Sequence, residues 1–149
     1  PSPQGSTWGN TLWEDALKLP GAIHLGLAKQ FLQTLPWHLI EPHQEWVVPA
    51  AGPEDYFGPY AAGIPGRLRL IYLFYPIYPG TEVRIEQLEK DITYNASWWD
   101  PRTGKEYPLG IVKPDARRTW RLPLQPEFKD WLLVMRSKDA QNKNRREKK

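Results

Sequence analysis

Ser97-Trp98-Trp99-Asp100-Pro101-Arg102-Thr103-Gly104 is the stretch whose reading decides the fold. Two adjacent tryptophans run into a cluster of strong turn residues, as expected for a strand entering a hairpin. Successive side chains of an extended strand point to opposite faces, so Trp98 and Trp99 must lie on different sides of a sheet. One then anchors a core, and the other meets solvent, a ligand or a neighbouring domain. Asp100 can accept hydrogen bonds from the backbone ahead of it, Pro101 presets φ, and Gly104 suits the left-handed residue of a bulged hairpin.

Outward from this hairpin the apolar pattern has a period of two. Ile92–Trp99 leads into the turn and Glu106–Val112 returns from it. Arg67–Tyr75 is the strongest strand: Leu68, Leu70, Tyr72 and Phe74 share one face, while Ile71, Leu73 and Tyr75 make its second half apolar on both. A strand apolar on both faces belongs in the middle of a sheet. Trp46–Val48, Tyr56–Ala62, Glu82–Leu88, Thr119–Leu124 and Trp131–Met135 complete about eight strands, near the size of a two-sheet antiparallel β-sandwich, with a barrel as the alternative. Gly63-Ile64-Pro65-Gly66 reads as a hairpin turn.

Upstream of Pro42 the period is helical. Trp13–Leu17 suits a short helix closed by Pro20-Gly21. From Gly21 to Leu35, Ile23, Leu27, Phe31 and Leu35 fall four apart until Pro36 stops the run. This helix is too apolar to stand in water on one narrow stripe, and the expectation is a substantial partner outside the chain. The organisation expected is therefore a helical segment over 1–42, a sandwich over 43–136 and a disordered basic tail over 137–149. The chain starts at Pro1 without an initiator methionine, which suggests a fragment or a processed product.

Composition narrows the functional classes. Sixteen prolines, 11 glycines and 19 aromatic residues in 149 favour short strands and turns over a helical bundle. Cysteine is absent, which excludes disulfides, thiolate metal sites and cysteine nucleophiles. No apolar run approaches the roughly 18 residues of a membrane span, and 1–10 lacks a signal-peptide pattern. The formal charge is +3, but the last seven residues carry +4 of it, leaving 1–142 at −1. No nucleic-acid partner is expected, because the body lacks a basic face and the tail has no aromatic residue to stack bases.

Several segments in register resemble a known family. Trp13-Glu14-Asp15-Ala16-Leu17, Pro20-Gly21-Ala22, Leu35-Pro36-Trp37 with Pro42, the Trp98–Gly104 hairpin and Asp130-Trp131-Leu132-Leu133-Val134 are similar, in that order, to the C-terminal end of apiosidase-like glycoside hydrolases. The similarity covers about residues 11–136. Those enzymes have a TIM barrel followed by a β-sandwich that bears a collagen-binding label. The resemblance implies that Gly21–Leu35 is the last barrel helix and that the missing barrel is the main partner. It also implies that the catalytic carboxylates lie upstream, leaving this chain a non-catalytic, extracellular or periplasmic ancillary domain. No catalytic residue is carried over.

The remaining chemistry is sparse. Glu14 and Asp15 are adjacent, whereas glycoside cleavage needs carboxyl groups facing each other across a sugar, about 5–9.5 Å apart. His24, His38 and His43 have no spacing that suggests metal binding, so neither metal nor cofactor is expected. Tryptophans are the candidates for binding. Burying one fully is worth at most about 4–6 kcal/mol, which makes core or interface burial the default for Trp46, Trp120 and Trp131. Trp98, Trp99, Trp8 and Trp13 are the candidate substrate-binding residues, with packing of the outward member of the Trp98–Trp99 pair on protein as the plain alternative. Polysaccharide is the ligand that such stacking would serve.

Overall fold

Strand alternation sorts the side chains of this chain into two cores, one on each face of its largest sheet. The computed structural model describes residues 12–54, 56–74 and 82–138. Two helices come first, α1 (Trp13–Ala16) and α2 (Pro20–Gln33). Among the described residues nine strands follow: β1 (Glu41–Pro42), β2 (Val47–Val48), β3 (Tyr60–Ile64), β4 (Leu68–Leu73), β5 (Arg84–Ile85), β6 (Tyr94–Trp99), β7 (Glu106–Val112), β8 (Trp120–Arg121) and β9 (Trp131–Ser137). They form an antiparallel six-stranded sheet in the order β1-β3-β4-β9-β6-β7 and a three-stranded sheet in the order β2-β5-β8. The sheets stack as a sandwich and do not close into a barrel.

The inner core lies between the sheets. Alternate residues of the long strands enter it: Ile71 and Leu73 from β4, Tyr94, Ala96 and Trp98 from β6, and Trp131, Leu133 and Met135 from β9. The small sheet and its flanks add Trp46, Val47, Val83, Ile85, Leu88 and Leu122. As expected, β4 is buried on both faces. Its other face, with Leu68 and Leu70, joins Trp99 and Val134 in a second cluster closed by Phe31 and Leu35.

This second cluster amends the expectation for the long helix. Phe31 and Leu35, half of the stripe Ile23-Leu27-Phe31-Leu35, are buried on the large sheet, so part of the helix's partner lies within the chain. Ile23 at the other end of the stripe remains 57% exposed. Pro20 starts α2 at its first turn instead of closing the preceding helix, because a proline there forfeits only an N–H that has no intrahelical partner. The large sheet also begins earlier than position 43: Glu41 and Pro42 pair with Gly63 and Ala62 at its edge. A two-residue strand has no period to read. At the opposite edge, β7 carries Pro108 and a register shift opposite Ala96 and Ser97, with Gly110 at φ +102°.

Arg69 is the exception to the sorting by polarity. It alternates with Ile71 and Leu73 and is therefore carried to the inner face, where it is 0% exposed. Its guanidinium donates to the carbonyls of Glu86 (2.8 Å) and Gln87 (2.5 Å), pairs with the Glu89 carboxylate at 3.1 Å, and lies 4.1 Å from the centre of the Trp46 ring. Glu89 Oε2 also accepts from Tyr94 Oη at 2.5 Å, and Glu89 Oε1 from the Gly66 amide at 2.9 Å. Burial raises the Glu89 pKa, but these hydrogen bonds and the Arg69 charge outweigh it and hold the carboxyl below its ordinary range. One buried cation thus joins β4, the segment after β5, β6 and the β3–β4 turn.

Candidate functional site

The 97–104 hairpin forms by the route its residues suggest. The Asp100 carbonyl accepts from the Gly104 amide at 2.8 Å, and the Asp100 amide donates to the Lys105 carbonyl at 2.9 Å. Gly104 has φ +69° and supplies the left-handed residue. Asp100 is 4% exposed, and its carboxylate accepts from the Arg102 amide (2.9 Å), Nε (2.8 Å) and Nη2 (2.9 Å). Burial pushes the Asp100 carboxyl up, yet the Arg102 contacts prevail and lower it from the usual carboxylate range.

The tryptophan pair separates to the two faces as its alternation requires, but neither ring is open to a ligand. Trp98 is 1% exposed and meets Trp131 edge-on in the inner core. Trp99 is 6% exposed and lies against Phe31 of α2, with ring centres 4.5 Å apart. Stacking a sugar requires an open ring face, and at this degree of burial both rings serve packing, with Trp99 presenting only a small part of its surface to a groove beside α2. Trp13 is 62% exposed on α1. Trp8 lies outside the described residues. Trp46 and Trp131 are buried, and Trp120 packs partly buried against the inner core.

Two grooves flank α2, separated by the same hairpin turn. The larger, about 530 Å³, lies between the first half of α2 and the turn before β9, and is lined by Gly21, His24, Leu25, Ala28, Tyr72, Pro101, Arg102, Phe128, Lys129 and Asp130. Within it Tyr72 Oη donates to Asp130 Oδ2 at 2.7 Å; burial first, and then this carboxylate, raise the phenol's pKa. The smaller, about 390 Å³, lies on the other side of the helix and includes Gln30, Thr34, Trp99, Glu106 and Arg136. Glu106 Oε1 there accepts from both Ser97 Oγ and Arg136 Nη1.

Of the carboxylates and histidines singled out in the sequence for catalysis or metal binding, His24 alone lines either groove. Glu14 and Asp15 sit on the exposed α1 helix, with Asp15 paired to Lys18 at 3.1 Å. His43 Nδ1 shares a hydrogen with Glu45 Oε1 at 2.8 Å, and its ring stacks on Trp46 with centres 3.9 Å apart, a structural arrangement. Among the described residues no three His, Asp or Glu side chains gather as a metal site. Sequence reasoning missed the Phe128–Asp130 groove because its parts come from distant segments. It had a signal for Arg69, a charge in phase with Ile71 and Leu73.

A second surface feature belongs to the helical segment. Of the large apolar side chains left exposed, nine fall within residues 12–39, among them Trp13 (62%), Leu17 (64%), Leu25 (74%) and Trp37 (61%). Isolated exposed apolar residues are normal, but such a concentration marks an interaction surface. Among the described residues no helix is long and apolar enough to cross a membrane.

A mainly β, two-sheet sandwich preceded by a short helical segment is the class of domain these features define. Residues 64–136 match the family described as "Putative collagen-binding domain of a collagenase". No curated protein matches the chain. Among solved structures, one described as a glycoside hydrolase superposes with a TM-score of 0.66 at 17% identity, covering 91% of this chain and 30% of its own. A glycoside hydrolase family 5 protein from Bacteroides vulgatus superposes with a TM-score of 0.64 at 19% identity, covering 89% of this chain and 29% of its own. The chain thus spans under a third of the length of these structures and shares their fold over that part. The resemblance read from the motifs is upheld: the sandwich is similar to a collagen-binding-type domain, in an architecture found in glycoside hydrolases.

Proposed function

We propose that this chain is the non-catalytic C-terminal ancillary domain of an extracellular or periplasmic glycoside hydrolase, of the apiosidase-like kind, and that it braces the catalytic barrel. The observation that carries this reading is the concentration of exposed apolar side chains on residues 12–39. The sheet takes Phe31 and Leu35 on one side of the helical segment, while Trp13, Leu17, Leu19 and Ile23 stay in water. Burying apolar surface gains about 25 cal/mol per Å², so covering several such side chains offsets much of the cost of fixing two domains. A barrel preceding the sandwich supplies the cover, and the glycoside hydrolase structures, more than three times as long as the superposed part, support that arrangement. In this reading the helical segment closes the barrel and the boundary falls near residue 42, with β1 (Glu41–Pro42) as the first strand of the sandwich.

The test is made in the full-length polypeptide that contains this chain. Changing Trp13, Leu17 and Ile23 together to glutamine is expected to lower the melting temperature of the catalytic domain by several degrees and to separate the two domains' transitions in calorimetry. Glycosidase activity below the transition should stay near its original value, since the sandwich supplies no reacting group. An unchanged transition would overturn the bracing role, and a loss of activity without loss of stability would overturn the non-catalytic one.

A further inference from the structure

We propose that the 390 Å³ groove beside the second half of α2 binds a neutral sugar chain, gripped through a pair of adjacent hydroxyls by Glu106 and Arg136. Strand register brings the two side chains to the outer face of the large sheet. Glu106 of β7 is opposite Trp99 of β6, and Arg136 of β9 is opposite Asn95 of the same strand. Their contact spans β6: Glu106 Oε1 accepts from Arg136 Nη1 and from the Oγ of Ser97, which is buried on the strand between them. The carboxylate is thereby oriented before any ligand arrives, which lowers the ordering cost of binding. This contact uses one oxygen of the carboxylate and one nitrogen of the guanidinium. Among the described residues Glu106 Oε2 and Arg136 Nη2 make no hydrogen bond, nor does the Gln30 carboxamide on the α2 wall. The Glu106 and Arg136 side chains are 40% and 24% exposed, so the pair is open to a ligand from solvent.

Those unbonded atoms set the class of ligand. A carboxylate oxygen only accepts, a guanidinium nitrogen only donates, and a carboxamide does both. Two neighbouring hydroxyls satisfy the pair at once, one donating to Glu106 and the other accepting from Arg136, while a third reaches Gln30. Glu106 and Arg136 carry no net charge between them. An anionic ligand would gain Arg136 only against the repulsion of Glu106, and a cationic one would gain Glu106 only against that of Arg136. The floor is apolar, built from Leu27, Phe31 and Trp99, and suits the C–H side of a sugar ring. Trp99 is 6% exposed and serves as floor, not as a stacking platform. Packing holds the walls in place: the Phe31 and Trp99 ring centres are 4.5 Å apart, and Arg136 Cζ lies 6.0 Å from the Phe31 ring centre. At the hairpin end a Cβ on Gly104 would come within 3.2 Å of Leu27, so helix and turn close the groove there. Its volume falls within the range of about 300–1,000 Å³ typical of small-ligand sites. The groove uses none of the exposed apolar side chains of residues 12–39 that carry the bracing role. Binding is read without the barrel, so its failure leaves that role standing.

The experiment is a chemical-shift titration of the 149-residue chain with cellohexaose, xylohexaose and mannohexaose as neutral probes, oligogalacturonate as an anionic probe, the chitosan hexamer as a cationic probe and the (Pro-Pro-Gly)10 triple helix as a protein probe. At least one neutral hexaose is expected to bind in the millimolar range with little dependence on salt, shifting the backbone amides of Gln30, Gly104 and Glu106 and the Arg136 Nε–H. The same hexaose methylated at its 2- and 3-hydroxyls should not bind. Glu106→Gln keeps an acceptor for Ser97 and Arg136 but removes the charge, and should weaken binding about tenfold. Gln30→Ala, at an exposed helix position where no side-chain bond is lost, should weaken it about fivefold. Leu25→Gln, on the other side of α2, should leave it unchanged. Failure of every neutral hexaose to bind, an affinity indifferent to Gln30→Ala and Glu106→Gln, undiminished binding of the methylated chain, preference for either charged probe, or shifts at the groove from the triple helix alone would each overturn the proposal.

Discussion

At the scale of single residues, the two buried charges explain more of the fold than their number suggests. Removing one partner of a buried pair leaves the other uncompensated, at a cost of about 3–5 kcal/mol. Arg69→Ala is therefore expected to destabilise the chain by that order, since Glu89 loses its charge partner and the Glu86 and Gln87 carbonyls lose a donor; urea unfolding measures it. Arg69→Met, which refills the space without the charge, should cost less. Asp100 acts in the acid range. Its carboxyl is lowered in the folded state, so its contribution is present above the ordinary aspartate value, about 3.9, and is lost as pH falls through the lower, folded value. Asp100→Asn should accordingly reduce stability by about 1.5–3 kcal/mol at neutral pH, and less below pH 3, as thermal melts across pH would show.

At the scale of elements, the period-two pattern and the turn residues made most of the strands legible. Glu106–Val112 is the strand expected, residue for residue, whereas the turn expected at Gly63-Ile64-Pro65-Gly66 falls later: Gly63 and Ile64 still pair within β3, and Pro65-Gly66-Arg67 turn the chain, with the Arg67 amide donating to the Ile64 carbonyl at 3.0 Å. Less legible were elements too short to show a period, such as β1, and contacts between segments far apart in sequence. Tyr72 meeting Asp130 is one such contact, and Trp99 meeting Phe31 is another. Alternation tells that Trp98 and Trp99 diverge, but not that a helix covers the second. Two substitutions test the element-level account. A Cβ at Gly63 would collide with the Leu68 carbonyl oxygen and come within 2.8 Å of the Trp46 ring, so Gly63→Ala should prevent the β3–β4 hairpin from closing and shift the melting temperature far more than the degree or two of an ordinary surface change. Phe31→Ala should cost about 3–5 kcal/mol of packing, and hydrogen exchange should show α2 opening ahead of β4, β6 and β9.

At the scale of the whole molecule, the sandwich has open edges that a neighbouring strand could in principle extend. The six-stranded sheet ends in β1, two residues long, and in β7, where Pro108 offers no N–H and the shift opposite Ala96 and Ser97 breaks the ladder. Neither edge is a template for another chain. Self-association of the isolated domain should therefore run through the apolar helical segment: sedimentation at rising concentration is expected to reveal weak oligomers that disappear when Trp13, Leu17 and Ile23 become glutamine and persist when Pro108 is retained or changed. The bulge and proline of β7 thus have a use that no measurement on a dilute monomer would register. At high local concentration they keep a small β domain from lending its sheet edge to a neighbouring copy, the first step towards a fibre.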